Sequence, residues 1–189
     1  MKKIIITGGS SGIGRAIALE MAQDKHQFFL IARNETKLNT VKKEVESLGS
    51  VASIGIGDVG NEKDAERLSN EALSLMKKVD VLIANAGVGY FGNLEDASIS
   101  EFDEQFNTNV RGVFLWLRRI LPLMKAQNSG QIIVTSSNLG LRTSARASIY
   151  SATKHAVQAM VWSLREELQS ELQRSILALL RRHGSMGEM

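Results

Sequence analysis

Tyr150 and Lys154 stand four residues apart in a segment with helical periodicity, so a phenol and an ammonium share one face. A phenol ordinarily loses its proton at about pH 10, and a neighbouring cation favours the phenolate. Such a pair suits a tyrosine that gives a proton to a reacting oxygen in reduction and takes it back in oxidation. Ser137, at the end of a predicted strand upstream, is placed to hydrogen-bond the same oxygen. A surface tyrosine, a solvated lysine and a turn serine are the ordinary readings of these residues taken singly.

The opposite end of the chain offers a second kind of chemistry. Thr7-Gly8-Gly9-Ser10-Ser11-Gly12-Ile13-Gly14 follows the apolar run Lys3-Ile4-Ile5-Ile6 and leads into a helical segment. A phosphate needs bare backbone N–H groups, a helix N-terminus aimed at it and no Cβ in the way. Gly8 permits the sharp turn off the strand, while Gly12 and Gly14 allow close approach and close packing. Ser10 and Ser11 add hydroxyl donors, and Ile13 belongs to the same turn. Arg15 after Gly14 argues against a nucleoside-triphosphate loop, which requires Lys-Ser/Thr there. A ligand-free glycine turn is the plain alternative.

Further candidates fall at the ends of predicted strands. Arg33 lies just past the second, where a carboxylate would bind the ribose 2′-hydroxyl of NAD; an arginine suits a 2′-phosphate instead. NADP(H) is therefore favoured and NAD(H) is the second choice, with Arg15 a possible helper and a solvated loop arginine the alternative. Asp58, followed by Val59, ends the third strand and can accept from an adenine amino group. Asn85-Ala86-Gly87 ends the fourth, where small residues let a ribose approach the backbone. A turn-forming asparagine competes with that reading.

Elements that alternate along the chain must position these residues. Strands are predicted over Lys3–Thr7, Gln27–Ala32, Val51–Gly55, Val79–Ala84 and Gln131–Thr135. Helices are predicted near Gly12–Gln23, Glu35–Leu48, Glu62–Lys77, Ser100–Gln127 and Ser148–Glu171, the first with Ile13, Ile17, Ala18 and Met21 on one face. Ser98 with Glu101 forms a capping box, and Pro122 is expected to bend or shorten the far end of its helix. Most strands are continuous apolar runs, as required when helices cover both faces of a parallel sheet. The fold class is α/β, a Rossmann-like doubly wound parallel sheet in one domain.

Composition narrows the function classes. Of 189 residues, 43% are hydrophobic and 23% charged, and the net charge of +3 is spread along the chain, which argues against nucleic acid as a partner. With no cysteine there is no disulfide, thiol nucleophile or thiolate metal site; His26, His155 and His183 lack ligand spacing, so no metal is expected. The apolar run after Lys2-Lys3 is too short for a signal peptide, and no stretch is long enough to span a bilayer; a cytoplasmic protein without a membrane partner is expected.

Together, Thr7-Gly8-x-x-x-Gly12-x-Gly14, Asp58, Asn85-Ala86-Gly87, Asn109, Ser137 and Tyr150-x-x-x-Lys154 resemble, in type and order, the short-chain dehydrogenase/reductase family. The resemblance covers roughly Met1 to Leu168. It implies an NAD(P)(H)-dependent enzyme acting on a small carbonyl or alcohol, with a seven-stranded sheet. It further implies that Tyr150 is the proton donor and acceptor, and that Lys154 binds the nicotinamide ribose. Ser137 would orient the substrate, and Asn109 would hold a water of the proton relay.

The family pattern gives way after Leu168. Ser175–Leu180 is the candidate sixth strand, the family's Pro-Gly turn is absent, and an atypical tail over 169–189 is expected to leave six strands. A catalytically impaired NADP(H)-binding or scaffold protein is the alternative function, with an S-adenosylmethionine enzyme ranked last. A homodimer is expected through Phe114, Leu117 and Leu121 on one long helix and Ala156, Met160 and Leu164 on the next. Packing of these residues on the sheet is the competing account.

Overall fold

The computed structural model of the protein describes residues 1–170 and 177–180, with side chains over 1–168. In chain order the elements are β1 (Lys3–Thr7), α1 (Gly12–Ala22), β2 (Gln27–Ala32), α2 (Glu35–Ser47), β3 (Val51–Ile56) and α3 (Glu62–Met76). There follow β4 (Val81–Ala84), α4 (Ile99–Phe106), α5 (Gly112–Gln127), β5 (Gln131–Thr135), α6 (Ser148–Ser170) and β6 (Leu177–Leu180). Of the predicted sixth strand, Leu177–Leu180 is a strand, whereas Ser175 and Ile176 lie outside the described residues, as do Glu171 and the end of the tail from Arg181.

Among the described residues the sheet has six parallel strands in the order β3-β2-β1-β4-β5-β6. The apolar runs split between its two faces by the two-residue period of a strand. Ile4, Ile6, Phe28, Leu30, Val81 and Ile83 pack with Ala18 and Ala22 of α1 and with Leu38, Val41 and Val45 of α2. Ile5, Phe29, Ile31 and Leu82 face the other way, onto α3, α5 and α6 through Leu68, Trp116, Ile120, Val157 and Val161. Both faces are dry, which is why the strands carry no polar alternation.

The chain runs outward from β1 to β3 and then returns to β4 on the other side of β1. The connections at the carboxyl ends of β1 and β4 therefore diverge and leave a crevice between them. Side chains cap three of the helices: Asn34 accepts from the Lys37 N–H, Asn61 from those of Lys63 and Asp64, and Ser98 with Glu101 closes the expected capping box.

Three elements differ from expectation. The buried side of α1 is Gly14, Ala18 and Ala22, while Ile13, Ile17 and Met21 are only partly covered. Small residues four apart bring this helix close to the sheet, a requirement that hydrophobicity alone does not register. The predicted helix Ser100–Gln127 is two helices joined by a π-helical turn over Asn107–Arg111. Finally, Pro122 does not shorten α5, which runs through it to Gln127. Proline there removes one hydrogen bond, to the Arg118 carbonyl, and the exposed position leaves that carbonyl to water.

Candidate active site

The glycine turn is built by exclusion. Gly8 has φ +67, and a Cβ on it would stand 2.8 Å from the Ala86 Cα. A Cβ on Gly14 would stand 2.2 Å from the Gly8 carbonyl oxygen, so only glycine lets α1 begin directly under the turn. Gly12 has φ +53, and a Cβ there would meet nothing within 4 Å, so its requirement is conformational and its open side faces space. Ser11 caps α1 in an extended conformation with no side-chain bond to the helix, leaving its hydroxyl uncommitted there.

Thr7 and Asn85 lock this turn to the end of β4. The Thr7 Oγ1 accepts the backbone N–H groups of Asn85 (3.0 Å) and Ala86 (3.1 Å). The Asn85 Nδ2 donates to the carbonyls of Thr7 (3.2 Å) and Gly8 (3.3 Å), and its Oδ1 accepts from Thr135 Oγ1 (3.2 Å). One amide thus ties β1, β4 and β5 together at the mouth of the crevice. Sequence reasoning names Thr7 only as the residue that opens the glycine motif and does not name Thr135, because their partners lie 50 or more positions away in the chain.

A cleft of about 500 Å³ opens over these strand ends. Gly8, Ser10, Ser11, Gly12 and Ile13 line one part; Arg33, Asp58 and Val59 line another; Asn85, Ala86, Gly87, Tyr150 and Lys154 complete it. Gly14, Asn109 and Ser137 do not line it. Lys37, on the first turn of α2 four residues after Arg33, also lines it, although sequence reasoning does not single it out. A second cation one helical turn beyond Arg33 is the signal that could have found it.

Arg33 is 60% exposed and donates to Glu104 Oε1 at 3.0 Å. The other Glu104 oxygen accepts the Tyr90 hydroxyl at 2.5 Å. The Tyr90 hydrogen bond and the Arg33 guanidinium hold the Glu104 carboxyl below its usual range, and the same bond pushes the Tyr90 phenol up. Arg15, a possible helper of Arg33, is turned elsewhere: Glu44 of α2 holds it with two bonds, at 2.9 and 2.7 Å, and it does not line the cleft. The helical turn that carries Arg15 points it toward α2.

At the other end, Lys154 is only 4% exposed and donates to the Thr135 carbonyl at 3.1 Å. Its Nζ stands 5.7 Å from the centre of the Tyr150 ring, and the Phe91 ring, on the loop after β4, lies 5.3 Å from that ring. Gly87 keeps this corner open, since a Cβ there would approach Asn109 Oδ1 to 3.3 Å and Lys154 Nζ to 3.6 Å.

Asn109 sits fully buried in the π-helical turn. Its amide accepts the Val88 N–H and donates to the Val88 carbonyl, both at 2.8 Å, and also donates to Thr153 Oγ1 at 3.1 Å. Thr153 in turn donates to the Tyr150 carbonyl at 2.7 Å. Asn109 therefore braces the loop after β4 against the helix bearing Tyr150. Ser137 is buried beside the cleft: its hydroxyl accepts the Leu139 N–H at 3.1 Å and donates to Asn138 Oδ1 at 3.2 Å, while its neighbour Ser136 lines the cleft.

The arrangement offers anion-binding backbone at one end of a cleft and a phenol with an ammonium at the other. No group of three His, Asp or Glu side chains among the described residues is placed to hold a metal ion. No described helix is long and apolar enough to cross a membrane.

Comparison with known proteins identifies the family. The family model for short chain dehydrogenases matches residues 2–174. An uncharacterized oxidoreductase of Listeria monocytogenes is 35% identical over 170 residues, which are 90% of this chain and 68% of that protein, so the chain spans about two thirds of its length. An alcohol dehydrogenase from the archaeon Thermococcus sibiricus, complexed with 5-hydroxy-NADP, is 34% identical with a TM-score of 0.89, over 96% of this chain and 75% of that one. A short chain dehydrogenase/reductase from Burkholderia phymatum, in complex with NAD, is 32% identical with a TM-score of 0.92, over 95% and 64%.

Proposed function

The chain belongs to the short-chain dehydrogenase family, and on that premise we propose that it is an NADP(H)-dependent oxidoreductase of a small carbonyl or alcohol with Tyr150 as its general acid and base. The observation that carries this reading is one continuous cleft with the glycine turn and Arg33 at one end and Tyr150 with Lys154 at the other.

The residues fit a pyridine dinucleotide. Gly8 and Gly14 stand where any Cβ would collide, which keeps the backbone bare at the turn, and the Ser11 hydroxyl has no helix bond to give up. Ser10, Ser11, Gly12 and Ile13 would hold the pyrophosphate, Asp58 and Val59 the adenine, and Asn85, Ala86 and Gly87 the ribose beside β4. Arg33 with Lys37 would take a 2′-phosphate. An arginine fork and a second cation favour that group over a bare 2′-hydroxyl, which supports NADP(H) over NAD(H). The bound cofactor supplies a hydride to a carbonyl carbon, or receives one from an alcohol.

Tyr150 gives its phenolic proton to the carbonyl oxygen as that oxygen becomes an alcohol, and recovers it in the reverse direction. Lys154 stabilises the negative charge that develops on the phenol oxygen during transfer. Ser137 orients the reacting oxygen once its hydroxyl turns from Asn138, and Asn109 holds the loop and helix around Tyr150 in register. The working form is a homodimer.

The test is loss of NADPH absorbance with a panel of aldehydes and ketones. Turnover is expected with NADPH in preference to NADH, and Tyr150→Phe is expected to lower kcat at least about a hundredfold while NADPH still binds. Saturable binding of NADPH with no turnover of any carbonyl or alcohol would overturn the proposal.

A further inference from the structure

A second cavity, of about 180 Å³, adjoins the main cleft, and Phe91 lines both. Its walls come from the loop after β4, the inner face of α4 and the turn before α6. The Gly92 N–H donates to the Arg146 carbonyl at 2.9 Å, so the two loops are tied across the cavity.

Gln105 of α4 lines this cavity and is fully buried. Its Oε1 accepts the Tyr90 N–H at 3.2 Å, which fixes the sense of the amide, because the flipped amide would set two donors against each other. Its Nε2 has no hydrogen-bond partner. A buried amide donor without an acceptor is costly and rare, and it calls for a reason.

Arg146 lines the same cavity with φ +62, a left-handed conformation that a non-glycine residue adopts at a cost. Its guanidinium has no ion-pair or hydrogen-bond partner among the described residues. Each acid on the cavity wall has one oxygen engaged. Glu101 accepts from the Ser98 N–H and hydroxyl in the capping box, and Asp96 accepts from the Asn93 amide. The cavity wall thus carries one buried donor without a partner, on Gln105, and one solvent-exposed guanidinium without an ion pair, on Arg146.

We propose that this cavity is a substrate subsite for a second oxygen-acceptor group, a carbonyl or a carboxylate, carried on the substrate beyond the carbonyl that is reduced. The linking skeleton lies against Phe91, whose ring centre is 5.3 Å from that of Tyr150. This rests on the reductase reading above and extends it from small carbonyls to bifunctional ones. A site built to hydrogen-bond a substrate group discriminates strongly against the analogue lacking it, because the site's own polar atom is then left unpaired.

The test compares three ketones of matched length with the full chain and NADPH: a simple alkyl ketone, a diketone and a keto acid. At least one bifunctional substrate is expected to exceed the simple ketone in kcat/KM by about tenfold or more. Gln105→Glu keeps an acceptor for the Tyr90 N–H and replaces the free donor by oxygen. It is expected to erase that advantage through KM, with the simple ketone's kcat and the KM for NADPH unchanged. Arg146→Gly suits the same backbone conformation; it weakens the keto acid alone if the group bound is a carboxylate, and neither substrate if it is a carbonyl. Calorimetry with the corresponding diol and hydroxy acid reads the subsite without turnover. Binding that is sensitive to Gln105→Glu in the absence of any turnover would sink the reductase reading and keep the subsite. Equal preference for simple and bifunctional ligands, or a preference that survives both variants, overturns the subsite.

Discussion

Glu104 grips Arg33 with one oxygen and the Tyr90 hydroxyl with the other, so a phosphate that approaches Arg33 meets a carboxylate already in place. Removing that charge while keeping the shape is expected to favour the more negative cofactor. Glu104→Gln should lower the KM for NADPH several-fold and leave that for NADH nearly unchanged, whereas Arg33→Ala should raise the KM for NADPH about tenfold or more. Steady-state kinetics with both cofactors check this. Acid gives an independent reading. The Glu104 carboxyl is held below its usual range by Tyr90 and then Arg33, so the bridge stabilises the fold at neutral pH and loses that effect as pH falls through the lowered value. Melting temperatures of wild type and Glu104→Gln should therefore differ at pH 7 and converge in acid. The pair is solvent-exposed, and the difference at pH 7 should shrink in high salt.

At the scale of elements, the site depends on how closely α1 and the π-helical turn approach the sheet. A methyl on Gly14 would overlap the Gly8 carbonyl, with no flexible side chain at that contact to yield. Gly14→Ala is expected to cost about 1–3 kcal/mol in denaturant unfolding, and to weaken dinucleotide binding as the turn shifts. Asn109→Ala leaves the Val88 N–H and carbonyl without their partner, at about 1–3 kcal/mol, and frees the loop after β4 from the helix that carries Tyr150. Its kcat should fall with little change in the KM for NADPH, the split expected of a positioning residue. Glycine spacing made the first element legible in the sequence, because only a turn that must stay bare repeats glycine so tightly. The second was not legible. The apolar periodicity runs on through Phe106 to Val113, and the extra residue of a π-helical turn shows only as a shift of phase that one amphipathic stretch cannot distinguish from scatter.

For the whole molecule, the expectation of a two-fold pair through α5 and α6 needs a corrected surface. Leu117 and Leu164 belong to the core, Leu121 and Met160 pack partly against it, and Phe114 is the residue of the expected set that stands 46% exposed. Trp162 of α6 is exposed to a similar degree. Light scattering at micromolar concentration is expected to give twice the chain mass of 20.7 kDa, and Phe114→Asp is expected to return it to monomer. A monomeric wild type would remove the dimer from the proposal.

The amino-acid sequence by itself determined the parallel sheet, the glycine turn on β1 and the phenol–ammonium pair on one helix. Each of these is written in residues close together in the chain: an apolar run, a repeat of glycines, an interval of four. Only the tertiary structure decided what meets what at the mouth of the cleft. Arg33 finds Glu104, Arg15 finds Glu44 instead of the cleft, Asn109 finds Val88, and Gln105 is left with a buried donor and no acceptor. Those outcomes follow from the order of strands in the sheet and the phase of helices around it. Partners set by packing between distant stretches of chain leave no local mark on the residues themselves.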